Sequence, residues 1–407
     1  MITPPPAPAL SWNTHCLLTR AALSTALEDR LDRNVPVTAL EDFIFQAAAE
    51  MGPLLSRYWN RLAAKSGKAN GMQLAPSHIR TARDFSYAFG LNPNVPIHYV
   101  RTLSPEEMPR DALHNQSREG PSGKTYIDTP LGQQIAAREI LAVFSDEPDW
   151  GMDQDLFGIK EYGYGPAPLG FAKGGSSQAP FHMAFFHEGP VLKVIVGRLV
   201  TSFLEERVRV FFALARLAFD KKLDYWGWRF TAWAMHYLQD LTQPYHARAL
   251  PAPVVPAVIR SIIKPGFRRV ALLNRDYLRN RHLVFEAAVH LILNAAAKDG
   301  VGHAFVHALA GRGETLDEDL STVLRESSRV PARIARSIDR VTVSLLNDSH
   351  PEDTRSSLEN DPAYSIHPAL ARAEDERPDL LKQFVDLVSA CLEQTGKVTR
   401  YAVNRRW

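Results

Sequence analysis

The sequence predicts an all-α, multi-helix protein. Apolar residues recur at three- and four-residue spacing along most long segments, clean two-residue alternation is scarce, and no internal repeat is present. With 45% hydrophobic and 23% charged residues, the chain has the composition of a globular protein that buries a core. Its 407 residues allow one large domain or two average ones.

Taken in order, Thr14 to Leu31 reads as a first helix. Thr38, with Glu41 three residues on, has the spacing of a capping box opening a second helix that runs to about Ala64. A third covers Pro130 to about Phe144. From Trp150 to Pro190 the chain is rich in Gly and Pro without a clear period, which predicts a long loop of the kind that is often functional. Two strong helices follow, about Val191–Asp220 and Leu223–Leu241. The second is crowded with Tyr225, Trp226, Trp228, Phe230, Trp233 and Tyr237, a set that reads first as core packing. Further helices are predicted over Asn274–Ala297, Leu316–Leu346 and Pro378–Val403, with a charged loop between the last two. Residues 1–11 read as a flexible N-terminal segment and 311–407 as a helical C-terminal extension.

The formal net charge of +2 provides no electrostatic drive towards nucleic acid or membrane. Cys16 and Cys391 cannot make a disulfide framework, and no CxxC pair is present, so any metal must be held by His, Asp and Glu. The first ten residues have neither the basic start nor the apolar core of a signal peptide, and no apolar run is long enough to span a bilayer. The sequence as it stands therefore reads as cytoplasmic; a start upstream of Met1 would make secretion the expectation.

The most informative segment runs from Ala234 to His246, Ala-Met-His-Tyr-Leu-Gln-Asp-Leu-Thr-Gln-Pro-Tyr-His. His236 and Asp240 are four apart in a predicted helix and so project from one face, one turn apart. Pro244 ends the helix and turns the chain to present His246. A second pair at the same spacing is His282 and Glu286. One such pair is also what a salt-bridged surface helix carries. Two pairs and a Pro-Tyr-His turn point to metal ligands on facing helices, in a donor set that suits zinc.

The His236-Tyr-Leu-x-Asp240-x-x-x-Pro-x-His246 segment resembles the central motif of the zinc-dependent phospholipases C and single-strand-specific zinc nucleases. His282 and Glu286 resemble that family's final His-x-x-x-acid pair, Asn13-Thr-His15 its N-terminal histidine, Glu147-Pro-Asp149-Trp150 its Pro-Asp-aromatic segment, and Phe181-His182-Met its following histidine. The resemblance spans roughly residues 12 to 290 and implies that 12–310 form a helical domain around two or three Zn2+ ions. It implies one zinc on Asp149, His182, His236 and Asp240, a second on His246, His282 and Glu286, and a third that shares Asp240 and takes His15. Asp149 would deprotonate or orient the attacking water. Clustered divalent ions would polarise a phosphoryl oxygen and lower the pKa of bound water.

Asp146 and Asp153 rival Asp149 for its place, and His187 rivals His182. His15 also reads as a capped surface histidine, and His290, two turns beyond His282, as packing or support for a ligand. In the family the third zinc takes the amine of an N-terminal Trp, whereas here Trp12 follows eleven residues. The expected substrate is a phosphodiester, a phospholipid first, with peripheral membrane contact. Glu286 favours the phospholipase branch, because the nuclease branch favours Asp at that place. Nucleic acid is the alternative, supported by Lys264, Arg268, Arg269, Arg275, Arg279 and Arg281 beside the site. A helical scaffold that keeps zinc without catalysis is a third reading.

Overall fold

A computed structural model of the chain describes residues 15–25, 29–66, 76–102, 126–164, 178–189, 202–248, 280–295, 303–311, 316–346 and 367–405. The described helices are α1 (His15–Ala22), α2 (Leu40–Ser66), α3 (Ala82–Ala88), α4 (Ala137–Phe144), α5 (Leu204–Asp220), α6 (Asp224–Asp240), α7 (280–295), α8 (Ala304–Ala310), α9 (Leu320–Ser327), α10 (Arg329–Leu345), α11 (His367–Glu376) and α12 (Pro378–Asn404). Short helical turns occupy Asp29–Asp32, Ala179–His182 and Pro244–Ala247, and a 3-10 turn occupies Glu147–Trp150. Among the described residues, four three-residue strands pair antiparallel in twos: β1 (Asn34–Pro36) with β4 (Gln134–Ala136), Val35 opposite Ile135, and β2 (Val100–Thr102) with β3 (Tyr126–Asp128), Arg101 opposite Ile127. The fold is all-α, and these strands pin connections rather than form a layer.

Helix α6 is buried at every residue from Tyr225 to Asp240, which is why its sequence is apolar on all sides. Its aromatic residues do pack a core. Phe230 meets Phe43 and Phe85 of α2 and α3, and Phe211 of α5 lies edge-on to Trp233. The polar ends of these side chains are satisfied: Trp226 Nε1 donates to the Thr38 carbonyl (3.0 Å), and Trp233 Nε1 to Glu147 Oε2 (2.6 Å). Arg229 stacks on Phe144 and donates to both Glu147 oxygens. A second core gathers Leu18 of α1, Leu283 and Phe285 of α7, Leu309 of α8, Ile338 of α10 and Phe384 of α12. Helix α12 touches both, with Val398 and Ala402 in the first core and Val388 and Leu392 in the second. Among the described residues, no helix is long and apolar enough to cross a membrane.

Several elements differ from expectation, each for a local reason. The first helix ends at Ala22, where the Ser24 hydroxyl and amide both return to the Ala21 carbonyl; a separate turn starts at Asp29. Thr38 and Glu41 do not form a capping box. The Thr38 hydroxyl has no hydrogen bond among the described residues, Glu41 Oε1 accepts from the Ala82 amide (3.1 Å), and a capping box forms instead at Thr81 and Asp84, opening α3. The segment predicted as helix from Pro130 contains β4 before α4 begins at Ala137, a strand too short to show a period. The predicted loop after Trp150 contains short helical turns, and its residues 165–177 lie outside those described. Helix Leu316–Leu346 is instead α9 and α10, broken where the Ser328 hydroxyl bonds back to the Leu324 carbonyl (2.8 Å). Helices α8 and α11 were not anticipated. The expected helical stretches at 191–201 and 274–279 also lie outside the described residues.

Helices α8 and α12 approach so closely that a Cβ on Gly396 would stand 2.1 Å from the Leu309 carbonyl oxygen. Backbone cannot yield as a side chain would. Gly396→Ala should lower unfolding stability by about 1–3 kcal/mol or more through overpacking. Denaturant titration checks this, and an unchanged midpoint would mean that the two helices separate freely.

Candidate metal centre

All eight side chains predicted as ligands meet in one buried cluster, brought there by separate elements. His15 opens α1. Asp149 sits in the 3-10 turn Glu147–Trp150, which has Pro148 as its second residue and closes on Gly151 at φ 104°, a left-handed conformation that favours glycine. His182 ends the turn Ala179–His182. His236 and Asp240 occupy the last turns of α6, and His246 lies in the turn Pro244–Ala247, where the Gln243 side chain caps the amides of Tyr245 and His246. His282 and Glu286 stand one turn apart on α7.

Asp240 lies at the centre. Its Oδ2 is 2.8 Å from His182 Nδ1 and 3.2 Å from His236 Nε2, and its Oδ1 is 2.9 Å from His246 Nδ1 and 3.6 Å from His15 Nε2. Asp149 Oδ1 is 3.4 Å from His236 Nε2 and 3.6 Å from His182 Nδ1, and its Oδ2 is 3.8 Å from His15 Nε2. On the far side, His282 Nε2 is 2.8 Å from Glu286 Oε1 and 3.2 Å from His246 Nε2. Three sets of possible ligand atoms each fall within 4.8 Å: His15, His236 and Asp240; Asp149, His182 and His236; and His246, His282 and Glu286. Ligand atoms placed tetrahedrally at about 2.0–2.1 Å around one zinc would be about 3.3 Å apart. The observed separations bracket that value.

Hydrogen bonds behind the ligands aim their lone pairs inwards. His236 Nδ1–H donates to the Ser145 carbonyl (2.7 Å), which turns Nε2 to the cluster. For His15 the direction follows from a chain of donors. The Thr399 hydroxyl gives its proton to the Thr395 carbonyl and the Thr19 hydroxyl to Ser145 Oγ, so both accept from the Gln239 amide nitrogen. Gln239 Oε1 is then left to accept from His15 Nδ1–H (2.7 Å), and His15 Nε2 faces inwards as an acceptor. Gln243 Nε2 donates to Glu286 Oε1 (3.1 Å).

The donor set fits a cation on a second ground. Both Asp149 oxygens, His15 Nε2, Asp240 Oδ1 and His246 Nδ1 are buried without a hydrogen-bond partner among the described residues. Buried polar atoms are nearly always partnered, and here the exceptions point at one another. The electrostatics agree. Burial alone would lower the His182 pKa, but Asp240, Asp153 and Asp149 outweigh it and push it up to about 10. His15 is raised against burial by Asp240 and Asp149. Asp240, which burial would raise, is held well below the usual carboxylate range by His236, His246 and His182. His246 is lowered, burial outweighing the pull of Asp240.

The rivals are placed elsewhere. Asp146 accepts from the Cys16 amide (3.0 Å) and the Tyr126 hydroxyl (2.9 Å). Asp153 is occupied by Arg207 and Tyr237 and reaches the cluster only by an ion-pair contact with His182 Nε2 at 3.2 Å. His187 is exposed and bonded to the Arg325 carbonyl and Ser328. His303 caps α8, accepting from the Phe305 amide, and His290 is half-buried on α7. Trp12 and five of the six basic residues from Lys264 to Arg281 lie outside the described residues; the sixth, Arg281, is buried on Asp339. Gln239, Gln243 and the Ser145 carbonyl were missed by sequence reasoning. Their roles depend on partners far along the chain, and only their positions within the ligand-bearing segments could have flagged them. A cavity of about 300 Å³ between α2 and α5, edged by Arg57, Arg61 and Arg209, contains none of the eight ligand residues. No family model, no curated protein and no solved structure matches the chain.

The raised histidines have a consequence for stability. His182 titrates near 10 in the folded chain against an ordinary 6.5, so its protonation stabilises the fold fully below pH 6.5. That contribution is lost as pH climbs from 6.5 to 10, and His15, shifted the same way, adds to the loss. Metal-free protein should thus melt at progressively lower temperature across this range. Metal binds the neutral imidazoles and displaces their protons, so loaded protein should lack that slope. Melts with and without chelator test this; parallel curves would contradict it.

Proposed function

We propose that the chain is a zinc-dependent phosphodiester hydrolase of the phospholipase C type, with a phospholipid as the first-choice substrate. The observation that carries the reading is Asp149: a buried carboxylate with both oxygens unpartnered among the described residues, within 3.8 Å of three inward-facing histidines. The ligand set is imidazole and carboxylate without thiolate, which suits zinc, and Asp240 faces both halves of the cluster as a bridging carboxylate would. When bound, two or three zinc ions supply Lewis acidity for displacement at phosphorus.

The chain's own residues do the rest. Asp149 accepts the proton of the attacking water on the carboxylate oxygen it keeps free, a general-base role. Gln239 and the Ser145 carbonyl hold the His15 and His236 rings in the required tautomer. Tyr245 stacks on His282 at 5.5 Å and 18°. His15, His236 and Asp240 have no exposed side-chain surface whereas His282 has 14%, so substrate approaches from the α7 side. For phospholipid over nucleic acid stand Glu286, by resemblance, and the engagement of Arg281 with Asp339, which removes it from phosphate contact.

Two or three zinc ions per chain are expected by elemental analysis, with hydrolysis of phosphatidylcholine exceeding that of single-stranded DNA. Asp149→Ala should cut turnover by about a hundredfold or more. Asp146→Ala should instead cost about 1–3 kcal/mol of stability by stranding the Cys16 amide, with turnover largely kept. Less than one zinc per chain, or the reverse ranking of the two variants, would remove the basis of this reading. Asp240→Asn should lower metal content, since an amide supplies no charge to the ions; unchanged content would make Asp240 an ordinary helix residue.

A further inference from the structure

Two buried aspartates outside the ligand set share one arrangement. Asp153 Oδ1 accepts from Arg207 Nε and Nη2 (3.0 and 2.7 Å), and its Oδ2 accepts from the Tyr237 hydroxyl (2.5 Å). Asp339 Oδ2 accepts from Arg281 Nη1, and its Oδ1 from the Tyr245 hydroxyl (2.9 Å). In both, one buried carboxylate collects one arginine and one tyrosine. Each tyrosine adjoins a ligand in sequence, Tyr237 after His236 and Tyr245 before His246, and Arg281 directly precedes His282. The tyrosine rings also lie against ligand rings, Tyr237 at 5.1 Å from His182 and Tyr245 stacked on His282.

We propose that Asp153 and Asp339 are positioning residues, each holding a different half of the metal cluster. This rests on the metal-binding reading above. Asp153 serves the group of Asp149, His182 and His236: it contacts His182 Nε2 at 3.2 Å, leaving Nδ1 turned towards Asp240, and fixes Tyr237 beside His236. Asp339 serves the group of His246, His282 and Glu286, tying the Pro244–Ala247 turn to the start of α7 through Tyr245 and Arg281. A buried carboxylate paired with arginine has one low-energy orientation, because turning it would leave both charges uncompensated. The tyrosine that bonds to it inherits that orientation, and so does the adjoining backbone. All the ligands precede residue 287, yet one half of the cluster is set by α10, well beyond them in the chain.

The clamps predict a double dissociation. Tyr237→Phe and Tyr245→Phe keep the rings and delete only the bonds to Asp153 and Asp339. Zinc and cobalt affinities would be measured by competition with a chelator, and His282→Ala identifies the ion of the second group by its loss. Tyr245→Phe should weaken that same ion, and Tyr237→Phe a different one, each by about tenfold to a hundredfold. The visible spectrum of the cobalt form should change at the weakened ion alone, and the metal-free variants should keep wild-type circular dichroism. Asp153→Asn and Asp339→Asn, where they fold, should show the same pattern more strongly. Both Phe variants weakening one and the same ion would overturn the proposal. So would a lowered melting temperature with metal affinities unchanged, or affinities within about twofold of wild type. A wild-type chain that binds no metal would instead defeat the metal reading itself.

Discussion

Asp240 has no exposed surface, and four histidines face it, His182, His236 and His246 within 3.2 Å and His15 at 3.6 Å. Taking a carboxylate out of water costs several kcal/mol unless positive charge replaces the lost hydration. Asp149 and Glu286, at 4% and 5% exposure, add to the same demand. Neutral imidazoles cannot meet it. Protons can, which is why His182 and His15 are driven towards the charged form, and a divalent ion can do so more fully with the same lone pairs. The rest of the architecture follows from that concentration of charge: a long buried helix to carry it, two cores meeting at its end, and a surrounding layer of hydrogen bonds directed at the ligands.

That layer is organised by proton direction. A histidine can bind a cation only through a nitrogen that carries no proton, so something must hold the proton on the other one. The chain uses two different acceptors for this purpose, and a carboxylate contact serves a third ring. The Ser145 carbonyl serves His236 and the Gln239 amide oxygen serves His15, while the outer nitrogen of His182 has only an ion-pair contact with Asp153 at 3.2 Å. Gln239 works only because Thr19 and Thr399 have already given their protons away, one on α1 and the other on α12. The orientation of one ring at the start of the chain therefore depends on a hydroxyl near its end.

The ligands were legible in the sequence where a single helix supplies two of them, because four-residue spacing fixes their common face: His236 with Asp240, and His282 with Glu286. His246 was legible through Pro244, which must end the helix. Asp149 and His182 came from resemblance of short segments and could not be separated by spacing from Asp146, Asp153 and His187. The supporting groups were not legible at all, since Gln239 and Asp339 look like any buried or surface polar residue until their partners are known. The fold shows the same division. Helix α6, long and apolar throughout, and α12, long and amphipathic, match their predicted bounds within a residue or two. The capping box at Thr38 is absent because Glu41 turns to the Ala82 amide, leaving the Thr38 hydroxyl without a hydrogen bond among the described residues, and the strand Gln134–Ala136 exists only through its pairing with β1.

The three aspartates at 146, 149 and 153 show how local chemistry divides labour among identical side chains. All are buried to 4% exposure or less, and all lie within eight residues. Asp146 is consumed by an amide and a phenol, which makes it a fastener between α1 and strand β3. Asp153 is consumed by Arg207 and Tyr237, and its charge is spent on orienting its neighbours. Asp149 has no such partner, although Arg229 bonds to Glu147 two residues away and holds the turn in place. A carboxylate that is fixed in position by its backbone but left open at both oxygens can bind a cation with one and take a proton with the other. Neither of its neighbours has an oxygen to spare for that exchange.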